Sequence, residues 1–170
     1  MVKAIFFDID GTLVSFKTHT IPDNTRQTLQ QLRRQGIKLF IATGRPRMLM
    51  LDAVGDMEFD GYITLNGAHC FTSDHQDIFK RGIPREDIER LVEYHHAHPE
   101  IPFVFTAGDR WFITAIDPAV EKVAQLIEID TPPVKPVEQA LKEDVLQIMG
   151  YFDETHEKEI FDRVLQGCEP

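Results

Sequence analysis

The chain has 170 residues, 42% of them hydrophobic and 27% charged, with 28 acidic side chains against 18 basic ones and a formal net charge of −10. That fits one ordinary globular domain, or a small domain joined to part of another. A field of that sign repels nucleic acid and anionic membranes, so neither is an expected partner; it also repels phosphorylated ligands, so a phosphate site here must carry its own positive charge, such as a metal.

Residues 2–7 form a nearly continuous apolar run, as a buried parallel strand does. Ile21, Thr25, Leu29 and Leu32 then recur at helical spacing, with Pro22 suited to the first turn and Gly36 to the stop. Residues 37–42 read as a second strand, Pro46 opens a helix through Val54, and residues 62–65 read as a third strand. The alternation predicts an α/β fold, a Rossmann-like, doubly wound parallel sheet.

The texture changes near residue 81. Ile88, Leu91, Val92 and His95 predict a helix behind Pro84, and residues 103–106 and 111–116 flank Ala107-Gly108-Asp109-Arg110 as a hairpin. Asp117-Pro118 starts a helix with Val120, Val123, Ala124 and Ile127 on one face. A proline-rich connector (131–136), a strand near 145–152 and a helix carrying Ile160, Phe161, Val164 and Leu165 complete the chain. The expected organisation is therefore an α/β module at 1–80 and a separate α+β module at 81–170.

Cys70 and Cys168 are the only cysteines, and two isolated thiols fit a reducing cytosol better than a disulfide framework. Asp8 and Asp10 interrupt the first apolar run before it reaches signal-peptide length, and no segment approaches transmembrane length. A cytoplasmic location is expected.

Asp8 and Asp10 stand two apart at the carboxyl end of the first strand, the edge at which open α/β sheets bind ligands. Alternate residues of an extended segment point the same way, so both carboxylates can address one small volume. They repel each other unless a hard cation or a shared proton compensates. Gly11 lets the backbone turn sharply there, where successive N–H groups can form an anion nest. The chemistry suggested is attack by Asp8 on phosphorus, with Asp10 as acid and then base, and Mg²⁺ neutralising carboxylates and phosphoryl oxygens. The plainer alternative is a strand ending in a polar turn. At the tip of the second strand, Thr43 and Gly44 precede a helix start, a position suited to binding a phosphoryl oxygen or to simple capping. Arg45 either adds a charge-assisted contact or sits solvated.

The blocks Phe7-Asp8-Ile9-Asp10-Gly11-Thr12-Leu13, Ile41-Ala42-Thr43-Gly44-Arg45 and Asn66-Gly67-Ala68 resemble the haloacid dehalogenase superfamily, and within it the Cof-type phosphatases with an inserted α/β cap. The resemblance implies that Asp8 is nucleophile and magnesium ligand, that Asp10 is the acid/base and touches the metal through its backbone carbonyl, and that Thr43 binds phosphate. The candidate phosphate-binding set is Gly11, Thr12, Thr43, Gly44, Arg45 and Asn66. Residues from 81 onward would be the cap, which in that family selects substrates such as sugar phosphates and other small phosphomonoesters.

Two motifs of the family are not found in their places: a lysine that holds the phosphoryl group and an acidic Gly-Asp motif at a strand end. Lys122, Lys135, Lys142 and Lys158 lie in the second module and read as solvated. The stretch Gly55-Asp56-Met57-Glu58-Phe59-Asp60 spells the acidic motif, but follows a helix rather than a strand. The chain, ending in Gly167-Cys168-Glu169-Pro170, is accordingly expected to be the N-terminal part of a longer protein, catalytically incomplete by itself. Rival readings are a non-catalytic phosphate- or metal-binding module, a phosphomutase, and a signalling receiver domain, whose phospho-acceptor normally lies on a later strand. His95, His96 and His98 are read as a polar helix end rather than a metal site, and Phe103, Phe105, Trp111 and Phe112 mainly as core.

Overall fold

A computed structural model describes residues 2–166 and divides the chain into two compact units, the first ending at Arg81 and the second beginning at Gly82. Cys168 and the other residues of 167–170 lie outside the described residues.

In the first unit, strands β1 (Ala4–Phe7), β2 (Lys38–Ala42) and β3 (Gly61–Thr64) pair in parallel, with helices α1 (Asp23–Arg34) and α2 (Arg47–Val54) in the crossovers. Leu39 and Ile41 of β2 are fully buried, packing with Leu29 of α1 and Met50 and Val54 of α2. Pro22 caps α1, and Gly36, at φ +79°, turns the chain out of it, a conformation that suits glycine.

The sheet departs from the three parallel strands expected. Strands β4 (His69–Thr72) and β5 (Asp77–Lys80) extend it antiparallel to five strands, in the order β1-β2-β3-β4-β5. The tight turn between them is closed by Thr72, whose N–H donates to the Gln76 carbonyl at 2.9 Å while its hydroxyl accepts from the Gln76 N–H at 3.0 Å. β1 forms one edge of the sheet, where the exposed ring of Phe6 stacks on Phe40 at 4.8 Å.

The second unit contains α3 (Arg85–Ala97), the hairpin β6 (Phe103–Ala107) and β7 (Arg110–Ile113), α4 (Pro118–Leu126), β8 (Gln147–Gly150) and α5 (Glu154–Ile160). Its sheet is antiparallel in the order β7-β6-β8. Phe103, Phe105 and Phe112 join Ile88, Leu91 and Val92 of α3 in one core; Val104 and Ile113 pack with Val120 of α4 in another. All of β6 is therefore buried. Trp111 packs beside the second core. The Asp117 side chain accepts the Val120 N–H at 2.8 Å and fixes the start of α4. Two expectations are corrected here. Ile127 follows α4 and is exposed, and of the final helix only Ile160 and Val164 reach the core, while Phe161 and Leu165 of its closing π-helical turn (Phe161–Leu165) are exposed. Among the described residues no helix is long and apolar enough to cross a membrane.

Candidate active site

Because β1, β2 and β3 run parallel as neighbours, the residues that follow them emerge at one edge of the sheet. Asp8 follows β1, Thr43 follows β2, and Leu65, Asn66 and Gly67 follow β3 in a 3-10 turn. The loops are laced together: Thr43 N–H donates to the Ile63 carbonyl at 2.9 Å, Asn66 N–H to the Thr43 carbonyl at 3.3 Å, and Leu65 N–H to the Arg45 carbonyl at 3.2 Å.

Ile9 anchors the first loop. Its side chain is fully buried, while Asp8 is exposed and Asp10 half-buried, so the two carboxylates lie away from the core on either side of it. The Ile9 carbonyl accepts from the N–H groups of Thr12, Leu13 and Val14, and Gly11 N–H donates to the Val14 carbonyl at 3.0 Å. These bonds correct the anion-nest expectation at Gly11 and Thr12, whose amides close the turn internally. Gly11 is still required by conformation, for it sits at φ +75° beneath the ring of Phe16.

Thr43 is buried, and its hydroxyl oxygen accepts the Arg45 N–H at 3.2 Å. Gly44 is exposed; a Cβ there would lie 3.0 Å from Asn66 Oδ1, so the Asn66 side chain sits close against it. Leu65 and Asn66 take left-handed conformations at φ +53° and +54°, followed by Gly67 at +101°. Asn tolerates that region, whereas a bulky Leu is strained in it and is held there by burial.

Arg45 is neither solvated nor simply waiting for an anion. Its Nε donates to Asp10 Oδ2 at 2.9 Å, its Nη2 to Asp10 Oδ1 at 2.7 Å, and its Nη1 to the Leu49 carbonyl at 3.3 Å. The bond to Asp10, against some burial, and then the charges of Asp10 and Asp8 push the guanidinium above its ordinary range, so it stays cationic. Asp8, Asp10, Thr43, Gly44, Arg45 and Asn66 thus share one sheet edge.

The acidic stretch before β3 does other work. Asp56 pairs with Arg26 at 2.7 Å, Glu58 with Arg33 at 3.1 Å, and Asp60 with Lys38 at 2.8 Å. Since Lys38 and Asp60 stand where β2 and β3 begin, these ties lie at the opposite edge from Asp8. His69 is buried, bonded to Asp77 at 2.7 Å, and the Cys70 thiol is pushed up by burial. In the second unit Lys122, Lys142 and Lys158 are exposed, while Lys135 is half-buried with its Nζ 5.9 Å from the centre of the Phe112 ring. His95 is buried in the core rather than at a polar helix end, and burial, then His96, pushes its imidazole down; His96 pairs with Glu138 at 2.8 Å.

A mixed α/β sheet with three parallel strands, the first ending in two acids around a buried residue beside a threonine at the tip of its neighbour, defines a class of Rossmann-like domains with an acid-lined site. The chain belongs to the haloacid dehalogenase-like hydrolase family, which matches residues 5–169. A Bacillus subtilis (strain 168) protein named "Putative phosphatase YkrA" is 32% identical over 157 residues, covering 92% of this chain and 60% of that protein. BT1666 of Bacteroides thetaiotaomicron, studied among phosphatases of the superfamily, superimposes with a TM-score of 0.80 at 32% identity, covering 96% of this chain and 61% of its own. The subclass IIB sugar phosphatase BT4131 gives a TM-score of 0.79 at 33% identity, covering 96% and 64%. The chain thus spans less than two thirds of the length of each of these relatives.

Proposed function

We propose that this chain carries the nucleophile-bearing part of a magnesium-dependent, cytoplasmic phosphomonoester hydrolase that acts on small phosphorylated metabolites. The observation that carries the reading is the placement of Asp8 and Asp10 around buried Ile9, beside Thr43 at the tip of the neighbouring parallel strand. Asp8, the exposed carboxylate, attacks phosphorus and displaces the ester oxygen, forming an aspartyl-phosphate. Asp10 gives its proton to the departing oxygen, then takes one from the water that hydrolyses the intermediate. Arg45 holds both oxygens of Asp10, and each oxygen keeps a second lone pair through which a proton can be given or taken. The phosphoryl oxygens, joined by the Thr43 hydroxyl and the Asn66 amide, offer the guanidinium a competing anion.

The donor set fits magnesium: the Asp8 carboxylate and the Asp10 backbone carbonyl are hard oxygen ligands, and water and phosphate commonly complete such a shell. When bound, the ion neutralises charge on the phosphoryl oxygens, which a chain of net charge −10 otherwise repels. Residues from Gly82 onward are read as the cap that selects the substrate, and BT4131, a sugar phosphatase, makes sugar phosphates the first class to try.

Hydrolysis of p-nitrophenyl phosphate by the 170-residue chain, with and without Mg²⁺ and beside Asp8→Asn, tests the reading. Magnesium-dependent vanadate binding that Asp8→Asn abolishes, with slow turnover at most, is the expected result for a chain in which the family's phosphate-holding lysine and second acidic motif are not found in their places. Turnover, however slow, would exclude the non-catalytic alternative, to which the two-point hold of Arg45 on Asp10 lends weight. Neither turnover nor vanadate binding would overturn both.

A further inference from the structure

The second unit carries a cluster of side chains that the phosphatase reading leaves unused. His98 closes the C-terminal end of α3, Glu100 lies two residues on, and His156 sits in the first turn of α5. One ligand atom from each of the three lies within 4.8 Å of the others. A carboxylate attends each imidazole. Asp153 lies 2.9 Å from His156 Nδ1, and Glu159 lies 3.6 Å from His98 Nε2. The His98 ring is further fixed by stacking on Tyr94 at 4.5 Å.

We infer that His98, Glu100 and His156 form a binding site for a transition-metal cation of the zinc class. Two imidazoles and one carboxylate are the ligand set that zinc and its neighbours take, whereas magnesium and calcium prefer all-oxygen shells. Metal-bound histidines usually donate their other ring N–H to a carboxylate, a backbone carbonyl or water, which fixes the tautomer and orients the ring. Asp153 stands in that relation to His156, and leaves its Nε2 as the donor. Tetrahedral zinc bonds of about 2.0–2.2 Å set ligand atoms roughly 3.4 Å apart, the spacing at which His98 Nδ1 and Glu100 Oε1 stand, 3.4 Å, and all three ligand atoms lie within 4.8 Å. His98 and His156 are each roughly a quarter exposed and Glu100 is more than half exposed, so small side-chain rotations can draw them in. Water fills the fourth position. The ion would tie the loop after α3 to the start of α5, two segments far apart in the chain. The site is independent of Asp8 and Asp10, so the inference does not depend on the proposed function.

Zinc affinity of the full chain, measured by competition with a chromogenic chelator in excess Mg²⁺, tests the site, and Co²⁺ absorption reports its ligand field. One equivalent of zinc is expected, with affinity lowered at least about tenfold by His98→Gln and by His156→Gln. Asp153→Asn is the sharper variant. Asp153 also caps α5 by accepting the Thr155 N–H at 3.0 Å, and asparagine caps as well as aspartate, so the helix survives while the charged partner of His156 is lost. It is expected to weaken zinc about tenfold with an unchanged far-ultraviolet circular dichroism spectrum. Asp8→Asn is expected to leave zinc affinity unchanged. Absence of stoichiometric zinc binding would overturn the inference, as would an affinity that neither histidine variant alters.

Discussion

Arg45 reaches across from the second strand's loop and holds both carboxylate oxygens of Asp10, at 2.9 and 2.7 Å. The two side chains are 23% and 38% exposed, so solvent screens the pair and its contribution to stability is at most about 1 kcal/mol. Its geometric consequence is larger. The planar guanidinium fork fixes the orientation of the carboxylate, and a lysine offers only a point charge. Arg45→Lys is therefore expected to shift urea stability by less than about 1 kcal/mol while weakening magnesium-dependent vanadate binding about tenfold, the loss of one charge-assisted hydrogen bond. Unchanged vanadate affinity would reduce Arg45 to a structural tie.

Gly11 and Phe16 separate two kinds of cost. A Cβ on Gly11 would lie 2.5 Å from Phe16 Cε2, but that ring is 71% exposed and can swing away cheaply. The backbone at φ +75° cannot relax so easily, and the left-handed region costs a residue with a side chain about 1–2 kcal/mol. Gly11→Ala is expected to lose roughly that much stability, and adding Phe16→Ala is expected to recover little of it. Urea unfolding of both single variants and the double measures the two parts; full recovery in the double would assign the cost to the clash.

What the sequence made legible follows from how local each signal is. Helix α1 shows in its own spacing, with Pro22 before it and Gly36 after it, because burial of one helical face imposes a period on the residues themselves. Asp8, Asp10 and Thr43 were readable because a strand tip needs only the few residues around it. The β4–β5 hairpin was not readable. All four residues of β5 are exposed, so nothing alternates there, and β4, although alternately buried, is only four residues long and buries a histidine. The partner of Arg45 was equally hidden, since it lies 35 residues away and only the parallel pairing of β1 with β2 brings it near. The same holds for His98, whose neighbourhood in sequence offered His95 and His96 but whose neighbour in space is His156.

Asp60 shows how an acid that mimics a catalytic motif can instead be structural, and its role predicts a pH dependence. Its Oδ1 accepts from Lys38 Nζ at 2.8 Å and its Oδ2 from the Leu39 N–H at 2.9 Å, which clamps the start of β3 to the start of β2. Burial pushes the carboxyl up, but the bonds from Lys38 and Leu39 outweigh it and hold the group below the usual carboxylate range. A carboxyl depressed by folding contributes stability above its unfolded value, about 3.9, and loses it as the pH falls through the folded value. Asp60→Asn keeps an acceptor oxygen for Leu39 and removes the charge that Lys38 pairs with. The variant is expected to be about 1 kcal/mol less stable than the wild type at pH 7, and the gap to narrow once the pH drops below about 4. Urea midpoints of both proteins at pH 7 and pH 3 decide it. A gap that stays constant would mean that the amide–carboxyl geometry, and not the charge, joins the two strands.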